Sequence, residues 1–386
     1  MKTSNSTKRR IVAIVGAVCM LASLVLLTAM PAGAGTVTGN YPLPTLTGTP
    51  IHIAVGPDGN LWCNEFNSGK LARTTLDGVV TEFPVATPGD GLYSVALIQN
   101  PNASVAGCDV TYMIEGEGPR TVHKTVAPNT RSTFNVADDI GAKDASIQVS
   151  SDVHVIPERA MYRYDRREGH DSIGTTTPNA DYYLAEGTTA WGFTTYVLVQ
   201  NPNPNPNTVT VTYMTSAGPV VEPAFVMQPN SRETIRVNDV VPNVDLSAKV
   251  SGTLPLIAER AMYYTNDGEI CHDSIGLPAA HRTFFLPDGD SHAGCETLTL
   301  VHNPNDVPVG VSIVYMTAGG TGNRTLTDTV PARSRRTYLM NDALPGVRAS
   351  VFVKCTTAGR NIMVERAMYT NNRNTATDTI GGFSDL

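Results

Sequence analysis

Three times along this chain a glutamate and an arginine stand side by side in the pentapeptide ERAMY, at residues 158–162, 259–263 and 365–369. Thirteen, fourteen and thirteen residues after each glutamate comes an aspartate, Asp171, Asp273 or Asp378, which opens DSIG, DSIG and DTIG. A carboxylate pair is the equipment of glycoside hydrolysis, one group acting as acid and the other as base or nucleophile. In such a site His170 or Arg159 would assist Glu158 and Asp171. The same residue types also form ion pairs that need no substrate, and two features favour that reading. The histidine before the aspartate is present as His170 and His272 but is Thr377 in the third copy, and three identical active sites in one chain would be unusual. No catalytic residue, cofactor or metal is therefore assigned.

The elements that position these residues emerge from the repeat itself, whose copies lie 101 and 106 residues apart. Asn100-Pro101-Asn102, Asn201-Pro202-Asn203 and Asn303-Pro304-Asn305 each follow an apolar segment, and a Tyr-Met pair begins twelve residues after the first Asn. Arg131, Arg232 and Arg335 come next, each two residues before a threonine, followed by Asp138, Asp239 and Asp342 and then ERAMY. In a strand, successive side chains alternate, so Ile156, Glu158, Ala160 and Tyr162 share one face while Arg159 and Met161 share the other. Each face then carries one charge among apolar neighbours, and buried charges need partners. The expectation is that Glu158, Arg159, Glu259, Arg260, Glu365 and Arg366 are mostly buried and paired within their own modules, with Arg131, Arg232, Arg335 or the nearby aspartates as partners.

Each copy of about 100 residues reads as six to eight short strands. VTVTYM (209–214) is a β-branched run closed by SAGP, and GEGP and GGTG mark the same hairpin in the other copies. Asn-Pro-Asn cannot continue a central strand, because proline lacks the N–H and asparagine favours turns. The pattern predicts an all-β chain of three tandem immunoglobulin-like β-sandwich modules, preceded by a short propeller-blade-like β unit. The boundaries expected are 1–34 for a signal peptide, 35–84 for the blade-like segment, and 85–180, 181–282 and 283–386 for three independent modules.

Lys2, Lys8, Arg9 and Arg10 precede an apolar stretch at 11–30, and Ala32-Gly33-Ala34 supplies small residues for cleavage. Secretion is the expectation, although 20 apolar residues also suffice to anchor an uncleaved chain in a bilayer. Loss of 1–34 takes the formal charge from -7 to -11, with 24 cationic against 35 acidic side chains. That acidity, without a basic patch, disfavours nucleic acid. Five cysteines remain, at spacings that match no zinc signature. Cys295 and Cys355 are gained together in the third copy, so a disulfide between them is predicted. Cys271–Cys295 is the competitor, and Cys63–Cys108 the other natural pair. Acidic turns at 266–269 and 288–290 lack EF-hand ligand spacing and read as solvated turns.

The sequence YYLAEGTTAWGFTTYVLVQNPNPNPNTVTVTYM, continued by NSRETIRVNDVV, IAERAMYY and HDSIG, resembles a family of tandem modules of unknown function from secreted and cell-surface actinobacterial proteins. The resemblance covers residues 85–386 and implies β-sandwiches used as stalks or attachment domains. It brings no catalytic residues, and the first copy departs from it by lacking the YYLAEG strand. Residues 50–91, with GPDGNLW at 56–62, resemble one repeat of the streptogramin B (virginiamycin B) lyase family, a magnesium-dependent seven-bladed propeller. One blade cannot close a propeller, and His52 and Glu65 alone make no site. The expected function is thus a secreted, non-enzymatic cell-surface, adhesive or scaffold protein. Its partner would be a cell-wall glycan or a surface protein, and it would meet a membrane only through an uncleaved N-terminal segment. The alternative is a lyase-like protein, a magnesium-dependent carbon–oxygen lyase whose propeller is incomplete in this chain.

Overall fold

The computed structural model describes residues 42–44, 50–55, 59–65, 70–84, 93–163, 166, 168–264, 270–371 and 373–385. The expected signal peptide and the acidic turn at 266–269 lie outside them. Contacts divide the chain into two units, Met1–Asp90 and Gly91–Leu386. Among the described residues no helix is long and apolar enough to cross a membrane.

In the first unit, strands Pro50–Val55, Leu61–Glu65, Lys70–Thr74 and Val80–Pro84 form an antiparallel meander in chain order. A tight turn joins the last two. The Gly78 N–H donates to the Thr75 carbonyl at 2.9 Å, and the Thr75 hydroxyl accepts from the Val79 N–H at 3.0 Å. Gly78 has φ 89°, a conformation glycine adopts without strain. The side chains of His52, Cys63 and Glu65 lie outside the description.

The second unit is all-β and holds three sandwiches of two antiparallel sheets each. Alternation of apolar and polar residues makes the strands: in Val309–Thr317, Val309, Val311, Ile313 and Tyr315 are buried and the residues between them are less so. One sheet of every module has the same four-strand order. In the first module it runs Glu168–Ile173, Ile156–Arg163, Tyr93–Asn100, Thr130–Asn135, and ERAMY lies on its second strand. In the second module ERAMY occupies the end of one uninterrupted strand, Leu246–Tyr264, whose beginning belongs to the opposite sheet. In the third the corresponding strands are separate, Ala349–Cys355 and Met363–Thr370. The second and third modules also have a lead-in strand, Asn179–Leu184 and Thr283–Leu286, which completes the other sheet and sends Tyr182, Leu184, Phe284 and Leu286 into the cores. Among the described residues of unit Gly91–Leu386 the first module shows no such strand, and one edge of Ala145–Ser151 is unpaired.

The repeated Asn-Pro-Asn turns out to be a clamp. Asn100, Asn201 and Asn303 are fully buried, and the Nδ2 of Asn303 donates to the carbonyls of Val307, Val330 and Pro331 at 2.9, 3.1 and 2.8 Å. Its Oδ1 accepts from Asn305, whose own Nδ2 reaches the Asn361 carbonyl at 2.7 Å. Asn102 and Asn203 reach the His154 and Pro255 carbonyls in the same way, so each clamp ties its turn to the segment leading into ERAMY.

The predicted disulfide is absent. Cys108, Cys271, Cys295 and Cys355 are all free thiols. Cys295 immediately precedes strand Glu296–Asn303, in a turn beside residues 289–291. Cys355 ends strand Ala349–Cys355 in the core, and that strand starts at Ala349, whose N–H donates to Gly289. Cys355 thus lies six residues of extended chain, about 20 Å, from the strand end beside the turn that holds Cys295. Counting back from ERAMY had placed them together because the third module inserts residues between its two strands. The pairing register matches Cys355 to Gly252 of the second module rather than to Lys249.

The modules are joined, not independent. One apolar cluster combines Phe193, Met262 and Ile270 of the second module with Leu300, Ala367 and Tyr369 of the third, and Ala185 and Leu277 lie in the third module's core cluster.

Candidate functional site

The charges of ERAMY pair across the seams between modules. This corrects the expectation of pairing within each module, and the reason is the alternation of the strand. Arginine projects forward to the following module, while glutamate and the DSIG-type aspartate share the backward face.

At the first seam the Nη2 of Arg159 donates to Glu259 at 2.5 Å and to Asp273. His170 projects forward beside it, with Nδ1 2.8 Å from Asp273 and Nε2 2.9 Å from the Tyr263 hydroxyl. Arg232 reaches back to Glu115 at 3.2 Å, and the Thr234 hydroxyl donates to the same carboxylate at 2.6 Å. Burial disfavours the charged guanidinium of Arg159, but Glu259 and Asp273 outweigh it and hold its pKa above the ordinary value. Burial pushes Glu259 up to about 7 against the pull of Arg159, and burial beside Arg159 takes His170 down to about 4.

The second seam repeats the plan with less water. Arg260 is 1% exposed; its Nη1 donates to Glu186 at 3.1 Å and Glu365 at 3.3 Å, and its Nη2 to Asp378. His272 lies 3.5 Å from Asp378 and 3.2 Å from the Tyr369 hydroxyl. Although burial opposes a charged imidazole, Glu186 and Asp378 raise the His272 pKa. Arg335 donates to the Gly187 carbonyl at 2.9 Å. Ligand atoms of Glu186, His272 and Asp378 lie within 4.8 Å of one another, a spacing that suits a metal ion. The Arg260 guanidinium already contacts all three, so a cationic side chain occupies this cluster.

The two ends of the unit are left over. Glu158 and Asp171 share the backward face of the first module with no module of this unit behind it, and burial together with Asp171 raises the Glu158 pKa. Arg131 is exposed and donates only to Thr133 among the described residues. At the far end Arg366, 5% exposed, donates to the Asp288 carbonyl at 3.3 Å and has no carboxylate within 4 Å among the described residues; burial lowers its pKa. Glu365 is 1% exposed, and Glu158, Arg159 and Glu259 are half-buried.

Sequence reasoning identified the charged residues but missed Glu115, Glu186 and the two tyrosines. One signal was available. His170 and His272 both project forward onto a following module, and the third copy, with no module after it in this unit, has Thr377. Between the first and second modules the unpaired edge of Ala145–Ser151 lines a cleft of about 410 Å³, with Gln200, Arg232 and Glu259 among its walls.

These features define a tandem β-sandwich array with charged seams. No family model and no curated protein matches the chain. Among solved structures, "Crystal Structure of Thermotoga maritima 1070" is similar at 12% identity and TM-score 0.25, covering 26% of this chain and 96% of that one. The "Anabaena sensory rhodopsin transducer" is similar at 16% identity and TM-score 0.20, covering 22% and 97%.

Proposed function

We propose that the protein is a secreted, non-enzymatic cell-surface, adhesive or scaffold element built of immunoglobulin-like sandwiches. The observation that carries this reading is the use of the ERAMY and DSIG carboxylates at both seams. They neutralise arginines from the neighbouring module, which fixes one module against the next. A stiff array of this kind suits display or attachment, and the leader-like segment at 1–34 supports export. The ligand would be a cell-wall glycan or a surface protein, and the cleft along Ala145–Ser151 is its docking place, because an unpaired strand edge offers backbone donors and acceptors in a row.

The test is a binding screen of the chain against purified cell-wall glycans, surface proteins and intact cells. Retention that is lost when Gln148, on the cleft wall, is replaced by Pro supports the reading. Absence of retention on every surface overturns it. The lyase-like alternative rests on one blade-like meander at 50–84, and turnover of a streptogramin B substrate with magnesium would favour it.

A further inference from the structure

We infer that copies of this chain associate head to tail, the forward face of the third module docking on the backward face of the first module of the next copy. The inference goes beyond the adhesive reading and does not depend on it. Its template is the pair of seams inside the chain, which show what each face looks like when covered.

Several apolar residues covered at the seams have counterparts that are uncovered at the ends. On the forward side, Met113 is 0% and Met214 4% exposed, and the Met113 sulfur meets Gln200 of the next module at 3.2 Å; the third member, Met316, is 38% exposed. Tyr183 packs edge-on against His302 of the next module at 5.9 Å, while its counterpart Phe285 is 45% exposed. The backward side mirrors this. Met363, counterpart of Ile156, is 1% exposed, whereas Ile156 is 46% and Ile173 62% exposed. Scattered exposed apolar residues are ordinary. Here one of them, Met316, stands at a position that both seams bury, and Ile156 at one that the second seam buries.

Charge selects the occupant. At each seam one arginine inserts between a glutamate and an aspartate. Among the described residues the unit carries one half of that set at each end: a nearly buried Arg366 with no carboxylate within 4 Å, and the Glu158/Asp171 pair with no arginine within 4 Å. A second copy supplies both missing halves at once. The contact joins two different patches, so it is heterologous and extends into open chains instead of closing as a two-fold dimer.

Sedimentation velocity of the full chain over a wide concentration range tests this. The expected result is a ladder of species beyond the dimer that shortens as salt rises, because the contact includes ion pairs. Ile173→Asp and Phe285→Asp alter exposed side chains, leave the fold intact by circular dichroism, and each weaken association at least about thirtyfold, as for loss of a close interface pairing. Glu158→Arg and Arg366→Glu each block association alone, and an equimolar mixture of the two restores it, since each variant then offers the charge the other lacks. A chain that stays monomeric throughout, a ladder that stops at the dimer, or association indifferent to Ile173→Asp and Phe285→Asp overturns the inference. If Arg366→Glu unfolds the third module, the two exposed-site variants still decide.

Discussion

Arg260 of the second module lies 3.3 Å from Glu365 of the third, both 1% exposed, although each belongs to a pentapeptide that the sequence presents as a self-contained unit. The charge of one copy is thus completed by the next, and the seam is the place to perturb it.

Glu365→Ala leaves Arg260 buried with fewer carboxylates and should cost about 3–5 kcal/mol, as for breaking a buried pair. Glu259→Ala should cost less, about 1 kcal/mol, because Arg159 keeps Asp273 and its side chain is 19% exposed. Urea unfolding of both variants measures the difference. Equal costs would refute the burial argument.

Chelation provides a second check. With Arg260 as the cation of the Glu186, His272 and Asp378 cluster, dialysis against EDTA should leave the melting temperature unchanged. Arg260→Met, which leaves three acidic groups and a histidine facing one another, should lower it by several degrees.

The first seam carries opposed proton linkages. His170 is held down at about 4 against an ordinary 6.5, so between these values the unfolded chain binds the proton and stability rises with pH. Glu259 is held up at about 7 against an ordinary 4.5, so the folded chain keeps a proton the unfolded chain has lost, and stability falls with rising pH over that window. In the native chain the two slopes oppose each other. His170→Gln should expose the second, with stability falling by up to about 1.4 kcal/mol per pH unit. A variant as flat as the parent between pH 5 and 7 would count against this account.

With the described thiols free, reductant should not shift the melting temperature. Under native conditions Cys295 should react with iodoacetamide, being partly exposed, while Cys355, fully buried and with its pKa raised by that burial, should react only after unfolding. A Cys295–Cys355 crosslinked peptide would contradict the structure.

Strand alternation made the two faces of ERAMY legible, and the turns and apolar runs made the sandwiches legible. The direction of pairing was not, because register within a module says nothing about what lies on the far side of a face. His170 and His272 carried part of that information, since both project onto the following module. Cys355 was misplaced for a different reason: equal spacing from a motif fails across an insertion, and only the pairing Val311 with Cys355 fixes its position. The clamp read as a simple turn because all but one of the carbonyls that each copy holds lie 26 to 56 residues away.

The clamp also bears on how the molecule ages. Asparagine deamidates when the backbone nitrogen of the following residue attacks its side-chain amide and closes a ring. Asn100, Asn201 and Asn303 are each followed by proline, whose nitrogen carries no hydrogen, and their amides are already held by buried carbonyls. The residue that locks each sandwich is therefore an asparagine protected from deamidation both by the proline that follows it and by the carbonyls that hold its amide.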